Sequence, residues 1–182
     1  IYLSTFSTYL APGLRIGWFA APQPLVELSI LLKRAVDLQP NTAGQYLVVE
    51  FERRGWLGEA IQRARSTYGR RCQVMDSALR KALPPGPRWL CPEGGIFLWL
   101  ELPPQVSAQR LLAATGRQGV AFLPGSLVYP TAGPRNVCRL DFSACREPQI
   151  EQGIGVIASA LADMLKEGAT GELDDAAIRA VV

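Results

Sequence analysis

The sequence predicts a mixed α/β chain in two parts, the end of one α/β layer followed by a smaller α+β module, and three features carry that prediction. Two short apolar runs, Ile1-Tyr2-Leu3 and Ile16-Gly17-Trp18-Phe19-Ala20-Ala21, have strand character and flank a hydroxyl-rich connection. An amphipathic stretch from Gly55 to Leu83 is long enough to be a single helix. Beyond the hard stop at Pro84-Pro85-Gly86-Pro87, strand-like and helix-like segments follow one another to Lys166.

The elements follow in order. After the second strand, Ala21-Pro22-Gln23-Pro24 starts a helix with prolines placed where a missing N–H does little harm, and Leu25, Leu28, Leu31 and Leu32 recur at helical spacing. Asp37-Leu38-Gln39-Pro40-Asn41-Thr42 breaks that helix and offers Asn41 or Thr42 as N-cap for the next, which carries Tyr46, Leu47, Val49 and Phe51. In the long helix, Ile61, Tyr68, Cys72, Met75 and Leu79 define a buried face, leaving Arg63, Arg65, Arg70, Arg71 and Arg80 mainly to solvent.

Strands are then expected over 88–91 and 96–102 around the turn Pro92-Glu93-Gly94-Gly95, whose glycines serve turn geometry. Ser107 is placed to cap a helix reaching about Thr115; a short strand and turn fall at Gly119–Ser126 and another strand at Val137–Ser143. A helix from Glu147 to Lys166 puts Ile150, Ile154, Ile157, Leu161 and Leu165 on one face. The polar, Gly-containing segment from Glu167 and the apolar finish from Ala176 to Val182 read as weakly ordered or as a short added helix.

Composition excludes several classes of function. With 182 residues, 48% hydrophobic and 19% charged, the chain can bury a core and is not disordered in composition. A net charge of +3 is mild, and its basic residues are spread along helix faces, which reads as solvated surface rather than a nucleic-acid patch. Cys72, Cys91, Cys138 and Cys145 form neither a CxxC pair nor a metal spacing, and no histidine is present, so no metal is expected and the thiols read as unpaired. No apolar run reaches the roughly 18 residues of a membrane span, and no signal segment is visible, so the expected location is the cytoplasm. The chain opens on what reads as a strand in mid-sheet, which suggests a portion of a longer protein.

Two places carry chemistry. In Thr5-Phe6-Ser7-Thr8-Tyr9-Leu10-Ala11-Pro12-Gly13-Leu14-Arg15, hydroxyls and one arginine lie between strands, and a planar guanidinium with added O–H donors suits a phosphate dianion. Arg139 falls in the strand Val137–Ser143, where it either binds an anion or pairs with Asp141 or Glu147. Tyr2, Tyr9 and Tyr129 read as packing or surface residues.

The wording of four segments is more specific than their spacing. Thr5–Gly17 resembles the active-site loop of class I/II aminotransferases, the fold-type I enzymes that use pyridoxal 5'-phosphate (PLP), in the branch of 2-aminoadipate-type aminotransferases and MocR regulators. Pro92-Glu93-Gly94-Gly95-Ile96-Phe97-Leu98-Trp99, Gly119–Ser126 and Arg139-Leu140-Asp141-Phe142-Ser143 resemble three further motifs of that family in the family's order, so the resemblance covers about residues 1–166.

The resemblance implies the C-terminal part of that fold: the end of the large α/β domain with the start of a linking helix over residues 1–66, a small α+β domain over 67–166, and a tail over 167–182. By the same match Thr5, Ser7 and Arg15 are ligands of the PLP phosphate, and Arg139 clamps the α-carboxylate of the substrate. At Thr8 the family carries the lysine that forms the Schiff base and moves protons; an alcohol can do neither. The implied reaction is amino transfer from an amino acid to a 2-oxo acid, by a homodimer. Three readings follow: a portion of an aminotransferase impaired at Thr8, the sensing domain of a MocR-type regulator with a winged-helix DNA-binding domain upstream, and a non-catalytic remnant. Nucleic acid is a partner only in the second.

Overall fold

Tyr2–Thr5 (β1) and Gly17–Ala20 (β2) form an antiparallel ribbon in the register Tyr2 to Ala20 and Thr5 to Gly17. The computed structural model describes residues 1–131 and 133–166, so the reading of the tail lies outside the described residues. The chain divides into two units, Ile1–Thr67 and a second beginning at Tyr68.

In the first unit, β2 is followed by helix α1 (Gln23–Val36) and helix α2 (Thr42–Arg53). Of the two N-cap candidates Asn41 is the one used: its side-chain oxygen accepts from the backbone N–H of Ala43 at 3.0 Å and of Gly44 at 3.4 Å. The helices therefore form where the sequence places them, but their apolar faces are not covered. Helix α1 buries none of its side chains, and Leu28 and Leu31 are 53% and 61% exposed. On α2 the buried residues are Gly44 and Val48, whereas Tyr46, Leu47 and Val49 are exposed. Ile1, Tyr2 and Leu3, expected at the end of a buried strand, are exposed as well. Periodicity reports that a face is apolar; it cannot report what covers it. A two-stranded ribbon with two helices has little core of its own.

Helix α3 (Trp56–Ala82) begins in the first unit, after Gly55 at φ +73, and ends in the second. There Cys72, Met75 and Leu79 enter the core, as their spacing requires. Arg63, Arg70 and Arg80 pair with Glu59, Glu147 and Asp76, but Arg71 is half-buried rather than solvated, one N–H donating to the Ser143 carbonyl. The second unit is built on a four-stranded antiparallel sheet of β3 (Arg88–Trp89), β4 (Phe97–Glu101), β5 (Leu123–Pro124) and β6 (Val137–Asp141), in the order β3-β4-β6-β5.

Strands β4 and β6 alternate. Leu98, Leu100, Cys138 and Leu140 turn into the core, where they meet Leu111 of α4 (Ala108–Gly116) and Ile150, Ile154, Ile157 and Leu161 of α5 (Glu147–Lys166). The opposite faces of the two strands carry Phe97, Trp99 and Arg139. Ser107 holds the N-cap position of α4, but its hydroxyl makes no capping bond. Among the described residues no helix is long and apolar enough to cross a membrane, and no cluster of three potential metal ligands occurs.

Asp76 on α3 ties the helix to β3: its carboxylate accepts from the Trp89 indole at 2.8 Å and from Arg80 at 2.8 and 3.2 Å. The Arg80 and Trp89 hydrogen bonds hold its carboxyl below the ordinary value of 3.8. A carboxyl whose pKa is depressed on folding adds stability above its unfolded pKa and loses it as pH falls through the folded value. Asp76→Ala should therefore cost about 1 kcal/mol at neutral pH, the side chain being partly exposed, with the gap to wild type closing in denaturant melts below about pH 4.

Candidate functional site

The connection from β1 to β2 is closed by its own hydrogen bonds. The Phe6 N–H and the Thr5 hydroxyl both donate to the Ile16 carbonyl, at 3.0 and 3.1 Å, and the Ser7 N–H donates back to the Thr5 hydroxyl at 3.1 Å. The N–H groups of Leu10 and Ala11 converge on the Phe6 carbonyl, after which Pro12–Leu14 forms a 3-10 turn. Proline at the start of that turn has no N–H to leave unsatisfied.

Two backbone features set the exit. Arg15 is left-handed, with φ 54 and ψ 36, a conformation that works against an L side chain by about 1–2 kcal/mol and so needs support from its surroundings. Ile16 is buried, and Gly44 at the start of α2 lies so close that an added Cβ would stand 3.4 Å from the Ile16 side chain and from the Leu14 carbonyl. The loop is thus pinned at Thr5 and Ile16 and turned outward at Arg15.

This loop carries Thr5, Ser7, Thr8 and Arg15. The Arg15 guanidinium is exposed, makes one long contact of 3.4 Å to the Pro12 carbonyl, and pairs with no described carboxylate. The half-buried Ser7 hydroxyl has no described hydrogen-bond partner, so its proton is available to a ligand. Thr5 differs, because its single proton already goes to the Ile16 carbonyl. It shapes the loop, and it reaches a ligand only by exchanging that bond. These donors suit the phosphate end of PLP; Thr8 offers no amine for its aldehyde.

Arg139 stands in the second unit, in the middle of β6, opposite Trp99 of β4 and Leu123 of β5. It lies on the sheet face away from Cys138 and Leu140, and its Cζ sits 4.0 Å from the centre of the Phe97 ring. Neither pairing that sequence allowed for it is made. Asp141 accepts from the N–H and hydroxyl of Ser143 at 2.6 and 2.7 Å, and Glu147 pairs with Arg70 at 2.9 Å. Among the described residues no carboxylate answers the half-buried Arg139, so its fork of donors is open to a planar anion.

Phe97, which supports the guanidinium, was missed in the sequence. Its role depends on the β4–β6 register, which brings together strands far apart in the sequence and is not written in either strand alone. A hollow of about 290 Å³ in this unit is lined by Gln118, Asp141, Cys145, Gln149, Ile154 and neighbours.

Comparisons with known proteins show the family and the fold. Residues 1–157 match the family model described as aminotransferase class I and II. The chain is 35% identical over 167 residues to aromatic-amino-acid aminotransferase 1 of Thermococcus litoralis, covering 92% of this chain and 40% of that protein. It is 33% identical over 165 residues to the 2-aminoadipate transaminase of Thermus thermophilus, 91% of this chain and 41% of the relative. Among solved structures, the Thermus thermophilus alpha-aminoadipate aminotransferase complexed with N-(5'-phosphopyridoxyl)-L-leucine superposes with a TM-score of 0.81 at 34% identity, covering 91% of this chain and 42% of that one. Regulators also match: an HTH-type transcriptional regulator of Bacillus subtilis is 27% identical over 85% of this chain and 32% of its own length. The chain therefore spans about two fifths of the aminotransferases it matches. With a family model covering most of its length and the same fold in a solved relative, this chain belongs to the class I and II aminotransferase family.

Proposed function

We propose that the chain supplies the PLP-phosphate loop and the substrate-carboxylate arginine of an amino-acid aminotransferase. Ser7 and Arg15 hold the phosphate, joined by Thr5 when its hydroxyl exchanges its bond to Ile16, and Arg139 holds the α-carboxylate of an amino acid or 2-oxo acid. The observation that carries this reading is the Arg15 loop: an exposed guanidinium on a left-handed residue and an unengaged Ser7 hydroxyl, both carried by one pinned turn. Bound PLP supplies an electron sink for chemistry at the amino acid's α-carbon. This chain's residues bind and orient. Because Thr8 stands where the family has its lysine, the chain holds PLP without a covalent bond and is impaired in proton transfer.

The wider setting proposed is a homodimer in the cytoplasm. The uncovered apolar faces of α1 and α2 support association, and four free thiols suit a reducing compartment. A second reading, the sensing domain of a MocR-type regulator, is favoured by the match to HTH-type regulators, since sensing needs binding but not turnover.

The test is phosphate-dependent binding. PLP is expected to bind wild type roughly tenfold or more tighter than pyridoxal, and Arg15→Ala should erase most of that difference, the equivalent of about 1–2 kcal/mol for charged hydrogen bonds in an exposed loop. Equal affinities for PLP and pyridoxal in wild type would overturn the reading.

A further inference from the structure

Cys72 and Cys91 stand on different elements of the second unit, yet their sulfur atoms are 3.6 Å apart, with one thiol donating to the other. Cys72 is on the core face of α3 and is 7% exposed, whereas Cys91 is exposed, just past β3 in the connection to β4. We propose that Cys72 and Cys91 are a thiol–disulfide exchange site, which low-molecular-weight disulfides such as oxidised glutathione convert to an intramolecular disulfide tying α3 to the β3–β4 connection.

Three features carry the inference. The sulfurs are already at van der Waals contact, so reaching the disulfide bond length of about 2.05 Å requires a shift of little more than 1.5 Å. Cys91 lies outside regular structure, beside the turn Pro92–Gly95, where such a shift meets no ladder hydrogen bond. The pair is asymmetric in access, the exposed Cys91 meeting an oxidant before the buried Cys72 can. Burial, the hydrogen bond to Cys91 and the nearby Asp76 push the Cys72 thiol up to about 11, so it stays protonated until its partner has reacted.

The steps balance with that one oxidant. The Cys91 thiolate attacks a sulfur of oxidised glutathione, forming a mixed disulfide and expelling one glutathione thiolate. Cys72 then loses its proton to solvent and attacks the Cys91 sulfur, forming the Cys72–Cys91 bond and expelling the second glutathione thiolate. Two protein thiols are oxidised and one glutathione disulfide is reduced. The remaining cysteines act as internal controls. Cys145 is exposed without a described thiol partner and should stop at the mixed disulfide; Cys138 is wholly buried and should not react.

The experiment treats the reduced, folded full chain with oxidised glutathione, blocks remaining thiols with N-ethylmaleimide after denaturation, and maps the peptides by mass. The expected result is a linked Cys72–Cys91 peptide lighter by two hydrogens, glutathione retained on Cys145, and a raised melting temperature that dithiothreitol reverses. In Cys72→Ala, glutathione should remain on Cys91; the exposed Cys91→Ala, where folding is least at risk, should leave Cys72 free and maleimide-blocked. Glutathione retained on Cys91 of wild type to the same extent as on Cys145 would overturn the proposal, as would a Cys72–Cys91 link formed only in denaturant.

Discussion

Arg139→Ala is expected to weaken binding of an amino acid or 2-oxo acid to the PLP-loaded protein by about 30- to 150-fold, the equivalent of roughly 2–3 kcal/mol for a charge-assisted, two-pronged contact. The effect should be large because the guanidinium is half-buried, stacked on Phe97, and has no described carboxylate to occupy it. Arg139→Lys should recover only part of the loss, since an ammonium cannot present two parallel N–H groups and stacks less well on an aromatic face. Titration calorimetry with the carboxylate ligand checks both variants. If Arg139→Ala binds as wild type does, Arg139 is a packing residue of the sheet. Melting the same variants separates the two roles, because a side chain on the face away from Leu98 and Leu140 should contribute little to the core.

The second large effect is a gain. Thr8→Lys is expected to convert dissociable PLP into PLP that survives gel filtration, since an amine at that position can condense with the aldehyde whereas a hydroxyl cannot. Thr8 is half-buried at the start of the turn that Thr5 and Phe6 pin to Ile16, so the new side chain replaces a partly covered one in a loop held from both ends. The absorbance of the protein peak at the wavelengths of bound PLP reads the outcome directly. Retention in Thr8→Lys and loss from wild type would assign the deficit of this chain to one side chain. Loss from both would leave the loop unable to hold the cofactor.

The sequence was most legible where local chemistry decides the structure. Asn41 capping, the long helix with Cys72, Met75 and Leu79 inside, and the helix over Glu147–Lys166 all follow from spacing and cap residues, and the structure has each of them. The apolar spacing of α1 and α2 was legible and their lack of cover was not: Leu28, Leu31 and Tyr46 are exposed among the described residues, and burial is decided by neighbours rather than by period. The loop at Thr5–Arg15 was visible as a cluster of hydroxyls and an arginine. Its internal bonds, above all the commitment of the Thr5 proton to Ile16, depend on backbone geometry that no spacing rule contains. Arg139 was legible as a candidate, and its freedom from Asp141 and Glu147 was not, because both carboxylates are taken by Ser143 and Arg70 through tertiary contacts. The nearness of Cys72 and Cys91 was invisible for the same reason.

The central claim, that the opening loop holds the PLP phosphate but offers no amine at Thr8, is tested most directly by reducing PLP-treated protein with borohydride and locating the pyridoxyl group by peptide mass mapping. The account predicts no label in the loop of wild type and a single dominant label at position 8 of Thr8→Lys, with Lys33, Lys81 and Lys166 no more labelled than in wild type. Labelling of Thr8→Lys confined to those three lysines would contradict it.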